Sequence, residues 1–316
     1  MTNLKKMGRV LLPFDYYEPQ SISDAIQLSR DSFGTYLAGG CTLVPALRRR
    51  ERRDSCLISI NKIEGLNEFY AHPKKGLTVG ARVHAATLLP DIWAGKRFAA
   101  LHEAIEQLYP PHIGNMGSIV GNLCSAIPYY DLPTAAMALN AEIHTTGLNG
   151  KRIIPLESFY LDTSKNALHD HELATHAFCP PPQPDSGSCF KKIYRSRRTT
   201  YDSHKINAAA SIAFDQDRQK IQYARIVLGS WYFRPHRYQK AEDLLKNQVP
   251  SFDLFTEAAS IVLEDLKPIT DMEWVEKTRF AQAKVLLRDT IAQAASRAKS
   301  RQDPFEDASQ IIQNTK

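Results

Sequence analysis

Three glycines within eight residues, Gly114, Gly117 and Gly121, stand directly ahead of a long apolar run in "HIGNMGSIVGNLCSAIPYYDLPTAAMALNAEI", from His112 to Ile143. Glycine adds no packing surface and loses more freedom on folding than any other residue. A cluster of it therefore signals unusual backbone bends or a group that must lie against bare main chain. A second such segment, "LAGGCTL" from Leu37 to Leu43, follows an expected strand and opens an expected helix. Amides exposed in glycine turns and at helix starts bind phosphate oxygens through hydrogen bonds and a favourable dipole. Two of them together suffice to grip a pyrophosphate from two sides. Singly, each is ordinary tight-turn chemistry. Neither fits GxGxxG in a βαβ unit or GxxxxGK[ST], so neither a Rossmann fold nor a P-loop is supported.

The surrounding pattern mixes helices and strands. "SISDAIQLSR" (Ser21 to Arg30) has a Ser-x-x-Asp start resembling a capping box, with Ile22, Ala25 and Ile26 on one face, and predicts a helix. "TYLAGGCTLVPALRRRER" reads as strand, glycine turn and helix, while "CLISI" (Cys56 to Ile60) and "LTVGA" (Leu77 to Ala81) read as short strands. "AALHEAIEQLY" is helical by spacing, and "DLPTAAMALNAEIHTT" predicts a helix followed by a strand. The three consecutive prolines of "FCPPPQPDSGS" mark a linker, with a domain boundary at about 180 to 187. Beyond it, "INAAASIAF" and "IQYARIVLGS" predict an antiparallel hairpin through "DQDRQK". "RYQKAEDLLKN", "DLFTEAASIVLEDL" and "WVEKTRFAQAKVLLRDTIAQAASRA" predict helices, giving a second α+β domain. Residues 299–316 have little periodicity and are expected to be a mobile tail or a docking arm.

Composition narrows the function classes. A chain of 316 residues, 43% hydrophobic, is long enough for two or three domains. Its 40 basic and 34 acidic residues are nearly balanced, so the net charge of +6 does not argue for nucleic acid, and "RRRERR" (Arg48 to Arg53) reads as a solvated face or a docking face for an acidic partner. Five cysteines, Cys41, Cys56, Cys124, Cys179 and Cys189, include no CxxC pair, so neither a zinc nor an iron–sulfur site is expected within this chain. Scattered thiols in odd number suit a reducing cytosol. No apolar run approaches the roughly 18 residues of a membrane span. A soluble, cytoplasmic protein is expected.

Six segments, in order and in register, carry a family resemblance. They are "FDYYEPQSISDAIQL", "LAGGCTLVPALR", "LTVGARVHAATL", "IGNMGSIVGNLCSAIPYYDLPTAAMALNAEI", "HELATHAFCPPP" and "FKKIYRSRRTTYDSHKINAAASI". The chain resembles, over nearly its whole length, the FAD-binding subunit, or medium chain, of the molybdenum hydroxylases of the carbon monoxide dehydrogenase and xanthine dehydrogenase type. The resemblance implies an α+β fold: a two-subdomain FAD-binding domain, vanillyl-alcohol-oxidase-like, at residues 1–65 and 66–182, then a small C-terminal α+β domain at 187–298. It implies an electron-transfer subunit holding FAD. A small partner would carry two [2Fe-2S] clusters and a large partner the molybdenum cofactor, in a dimer of heterotrimers, without a metal in this chain.

The site residues follow from the same resemblance. Ala38, Gly39, Gly40, Cys41 and Thr42, flanked by Leu37 and Leu43, would wrap the FAD pyrophosphate through backbone amides. Gly117, Ser118, Val120, Gly121 and Asn122 would form the second clamp. Asp131 would lie near the ribityl and ribose hydroxyls, accepting hydrogen bonds. Lys192, or Lys191 if the register moves by one, would lie near the flavin ring. Cys41, Thr42 and Ser118 depart from the usual Thr, Asp and Thr, and Gly114 from an arginine. Val120 stands where a glycine is usual. A β-branched residue disfavours φ > 0, so the loop must adopt a backbone that valine accepts, or FAD affinity suffers. A free-standing flavin oxidase and a scaffold that has lost FAD are the alternatives. Other features have plainer readings: His169, His171 and His176 as polar loop histidines, His84 and His112 as structural, and Cys124 as small-residue packing. Tyr129, Tyr130 and Tyr201 would pack ordinarily or cover a flavin face.

Overall fold

A computed structural model of the chain describes residues 11–108, 110–193, 206–267 and 273–300. Tyr201 and residues 301–316 of the expected tail lie outside these.

The first unit runs β1 (Asp15–Tyr17), α1 (Ile22–Ser32), β2 (Thr35–Leu37), α2 (Leu43–Arg48) and β3 (Cys56–Ser59). The sheet order is β1-β3-β2, parallel throughout, with Asp15 opposite Cys56 and Thr35 opposite Leu57. A parallel strand in the middle is covered on both faces, which is why "CLIS" is apolar at almost every position and fully buried. α1 begins where expected, the Ser21 hydroxyl accepting from the Asp24 N–H at 3.1 Å, and buries Ala25 and Ile26.

The second unit contains β4 (Phe69–His72), β5 (Gly76–Gly80), α3 (Ile92–Arg97), α4 (Ala99–Glu106), α5 (Pro111–Met116), α6 (Ile119–Cys124) and α7 (Asp131–Ala138). It continues through β6 (Glu142–Gly147), β7 (Gly150–Pro155), α8 (Leu156–Phe159), β8 (Tyr160–Asp162), β9 (Lys165–Asn166) and β10 (Leu173–Cys179). The five-stranded order β4-β5-β10-β6-β7 is antiparallel at every pairing. α7 is buried along its whole length. That accounts for the near-absence of polar residues in "DLPTAAMA": a helix covered on all sides reads as apolar all round.

The proline segment joins β10 to β11 (Ser186–Ile193), so "SGS" belongs to a buried strand and not to the connection. The third unit continues with β12 (Ile206–Phe214), β13 (Ile221–Gly229), β14 (His236–Arg237), α9 (Gln239–Leu245), α10 (Phe252–Glu264) and α11 (Glu273–Ser300). Its antiparallel sheet, β11-β12-β13-β14, is covered on both faces. Strand alternation sends Ala208, Ala210, Ile212, Ile226 and Leu228 into a core with α9, α10 and α11. Phe190, Ala209 and Val227 go into the core of the preceding units. No helix among the described residues is long and apolar enough to cross a membrane.

Candidate functional site

The segment from Gly114 to Asn122 does not form the glycine turn expected of it. α5 ends at Met116, Gly117 and Ser118 are extended, and α6 begins at Ile119. A short antiparallel contact holds the extended pair: the Ala85 N–H donates to the Gly117 carbonyl at 2.9 Å and the Ile119 N–H to Val83 at 3.1 Å. The Ser118 hydroxyl caps α6 by accepting from the Gly121 N–H at 3.1 Å. Val120 therefore lies within the first turn of a helix, with its side chain in the core. The conflict foreseen between valine and positive φ does not arise, because a helical backbone accommodates a β-branched residue at small cost. In the first turn of a helix the N–H groups lack intrahelical acceptors, so the Val120 amide remains available there.

In the first segment β2 ends at Leu37 and α2 starts at Leu43, so residues 38–42 make the turn. Gly40 has φ +70°, a conformation that strains any residue with a side chain. Gly39 serves close approach instead: a Cβ on it would lie 1.8 Å from the Met116 carbonyl oxygen and 3.1 Å from the Gly117 Cα. A Cβ on Gly117 would lie 3.5 Å from Cys41 Sγ, and one on Gly121 4.0 Å from the Ala38 Cβ. The two segments, some 75 residues apart by the separation of Gly39 from Gly114, thus meet backbone against backbone. Burial pushes the Cys41 thiol up, so the neutral S–H faces the Gly39 carbonyl at 3.7 Å. Asn122 contributes a buried side-chain oxygen with no partner among the described residues. Bare backbone at the contact and an orphaned acceptor beside it fit a ligand with anionic oxygens flanked by hydroxyl donors, as a flavin dinucleotide is.

Asp131 and Lys192 come together with each other. Lys192 Nζ donates to Asp131 Oδ2 at 2.6 Å and to the Gln107 carbonyl at 2.7 Å, and the two side chains are only 7% and 5% exposed. Asn207 Nδ2 donates to Asp131 Oδ1 at 2.9 Å, and Asn207 accepts from Thr134 at 2.8 Å. The sequence reading missed Asn207, although one amide side chain in the alanine-rich strand "INAAASIAF" is the kind of buried polar residue that requires a partner. Ser125 was missed as well.

The remaining candidates separate. His169 lies 2.6 Å from Arg152 Nη1, His171 lies 3.2 Å from Ser29 Oγ, and His176 is across the sheet from His144. Among the described residues no group of three or more His, Cys, Asp or Glu is placed to hold a metal. Cys124 is pushed up to about 12 by desolvation, which leaves it an inert thiol. Arg49 and Arg52 pair with Glu51 and Asp54 on a solvated face.

A cavity of about 470 Å³ lies elsewhere, lined by Arg152, Ile154, Leu161, Asn166, Leu168 and His169. Its polar groups are already matched within the chain. Arg152 donates to Glu172 Oε1 at 2.9 Å and Oε2 at 3.0 Å, and Asn166 donates to the Cys124 carbonyl at 2.7 Å. Burial alone would raise the Glu172 carboxyl. The His169 N–H, Thr145 and Arg152 outweigh it and hold the group below the ordinary carboxylate range. A carboxyl lowered by folding stabilises above its unfolded value and loses that contribution as the pH falls through the folded one. The melting temperature should therefore drop as the pH is taken below about 4, and Glu172→Gln should flatten that limb in a pH series of thermal melts. Equal slopes in the two proteins would count against this account.

Comparison with known proteins shows the family and the fold. Residues 12–182 match the family model described as the FAD binding domain in molybdopterin dehydrogenase, and residues 190–294 match the CO dehydrogenase flavoprotein C-terminal domain. The 6-hydroxypseudooxynicotine dehydrogenase complex subunit alpha of Paenarthrobacter nicotinovorans is 28% identical, over 90% of this chain and 96% of that one. The carbon monoxide dehydrogenase medium chain of Afipia carboxidovorans is 25% identical, over 91% and 98%. The fold is shared with carbon monoxide dehydrogenase from Hydrogenophaga pseudoflava in a form lacking the Mo-pyranopterin moiety. The TM-score is 0.83 at 23% identity, covering 91% of this chain and 99% of that one.

Proposed function

The chain belongs to the FAD-binding domain family of the molybdopterin dehydrogenases and is an FAD-binding, electron-transferring subunit of a molybdenum hydroxylase; from that premise we propose how its own residues hold the cofactor and what it assembles with. FAD, when bound, supplies the capacity to exchange electrons singly with iron–sulfur clusters and in pairs with an external acceptor.

The chain's part is to bind, orient and shield. Main-chain N–H groups of Ala38, Gly39, Gly40, Cys41 and Thr42, between Leu37 and Leu43, would take one side of the pyrophosphate. Those of Ser118 and Val120 would take the other, while the Gly117 and Gly121 N–H groups, expected to join them, already donate to the Ile113 carbonyl at 2.7 Å and the Ser118 hydroxyl at 3.1 Å. The buried Asn122 oxygen would accept from a cofactor hydroxyl. Asp131 accepts one hydrogen bond from Lys192 and one from Asn207 and keeps lone pairs for a ribityl or ribose hydroxyl. Lys192, as its partner, would bring positive charge toward the flavin ring. The observation that carries this reading is the close approach of Gly39 to the Met116 carbonyl, which puts the turn at 38–42 beside the junction of α5 and α6.

The partners in this reading are a small subunit with two [2Fe-2S] clusters and a large subunit with the molybdenum cofactor, arranged as a dimer of heterotrimers in the cytoplasm. The full-length chain, purified and mixed with FAD, should turn yellow and retain the flavin spectrum through gel filtration. A colourless protein that ignores FAD would remove the cofactor assignment. Co-purification with a cysteine-rich small subunit and a large one tests the assembly.

A further inference from the structure

Thr42 occupies the position before α2, where a threonine ordinarily turns its hydroxyl onto an N–H of the first turn. Here its backbone is already helical, at φ −98° and ψ −48°, and its side chain makes no cap bond. Ser21, Asp91, Ser118 and Ser251, at the starts of α1, α3, α6 and α10, all make that bond. The Thr42 hydroxyl reaches across to the second unit instead. It lies 2.8 Å from the Tyr130 hydroxyl and 3.2 Å from Ser125 Oγ, whose single O–H is shared between Thr42 and the Gly121 carbonyl, 2.8 Å away. Among the described residues, these are the hydrogen bonds that join residues 37–43 to α5, α6 and the start of α7; the Gly39 contact is van der Waals. Tyr130 is fixed from behind. It precedes Asp131, which Lys192 and Asn207 hold to the sheet of the third unit.

We propose that Thr42, Ser125 and Tyr130 form a hydroxyl clasp that sets the separation of the two glycine-bearing segments, so that their amides converge on one pyrophosphate. The inference rests on the FAD reading above. All three are positioning residues, because their side chains act through the backbone of residues 38–42 and 117–122. The fold itself is held by its apolar cores and tolerates the loss of the clasp. A cofactor that needs donors placed to within about 0.5 Å does not.

The test is a double-mutant cycle on the full-length chain, stripped of flavin and titrated with FAD while flavin fluorescence quenching is followed. Thr42→Val and Tyr130→Phe should each weaken FAD binding roughly tenfold, the scale of one hydrogen bond. The double variant should be no weaker than the worse single one, since both changes break the same bond. Thr42→Ser keeps the hydroxyl and should restore wild-type affinity. Should Tyr130→Phe fail to fold, Ser125→Ala takes its place in the cycle. Multiplicative losses overturn the clasp. So does a damaging Thr42→Val beside a neutral partner variant, which would mean that Thr42 touches FAD directly. Wild type binding FAD with every variant equal to it overturns the clasp alone, whereas wild type ignoring FAD overturns the cofactor reading and the clasp together.

Discussion

A chain carrying Gly39→Ala is expected to purify without flavin. The added Cβ would sit 1.8 Å from the Met116 carbonyl oxygen, a backbone atom at the end of α5 that cannot swing aside as a side chain can. The turn between β2 and α2 or the junction of α5 and α6 must then retreat by more than an ångström. Strain of this kind costs about 1–3 kcal/mol of stability in a packed site. The larger effect falls on binding, because retreat separates the two sets of amides. FAD affinity is expected to drop by at least about a hundredfold, the loss of two hydrogen bonds or more to a charged group. Absorbance of the purified protein in the flavin bands, before and after incubation with FAD, measures it. Gly40→Ala makes a useful contrast, since it meets only the Val44 and Leu37 side chains, at 3.1 and 3.3 Å, and suffers chiefly from its φ of +70°. Stoichiometric flavin in Gly39→Ala would mean that the close approach has nothing to do with the cofactor.

Lys192→Met should be the most destabilising substitution among the polar residues named here. It removes the ammonium from a carboxylate that is 5% exposed and leaves Asp131 with the Asn207 amide as its remaining named donor. An abandoned buried charge costs about 3–5 kcal/mol, more than the intact pair contributes, because two desolvated ions only just recover their hydration. Adding Asp131→Asn removes the stranded charge and should recover most of the loss. Urea unfolding of wild type, single and double variants measures both steps. A loss under about 1 kcal/mol in the single variant would show that water reaches Asp131.

Much of this architecture was legible in the chain, for identifiable reasons. Elements with one buried face or a clear stop signal were read correctly: α1 from Ser21 and its apolar stripe, the hairpin of β12 and β13 from two apolar runs and a polar loop. The misreading at residues 114–122 has a physical cause. Glycines placed for close approach look the same in sequence as glycines placed for positive φ, and only Gly40 of the two segments is of the second kind. Val120 therefore looked like a fault in a turn when it is a core residue of a helix. The partnership of Asp131 with Lys192 and Asn207 was invisible for another reason. The three residues are separated by up to 76 positions, and no local pattern reports which strand a buried carboxylate will face. Thr42 illustrates the same limit, since its position predicts a cap and its hydroxyl is used elsewhere.

The sheet of the third unit has one face in each of two cores, with Phe190, Ala209 and Val227 on the side of the flavin domain. Arg297 of α11 and Glu103 of α4 pair across the same boundary, and the Phe190 N–H donates to Glu103 at 2.7 Å. A fragment ending at the proline connector would consequently leave a raw apolar surface on both halves. Cleavage of the exposed peptide bonds there should yield two pieces that stay together through gel filtration and melt in one transition. The boundary between the two family matches is thus not a line along which the protein comes apart.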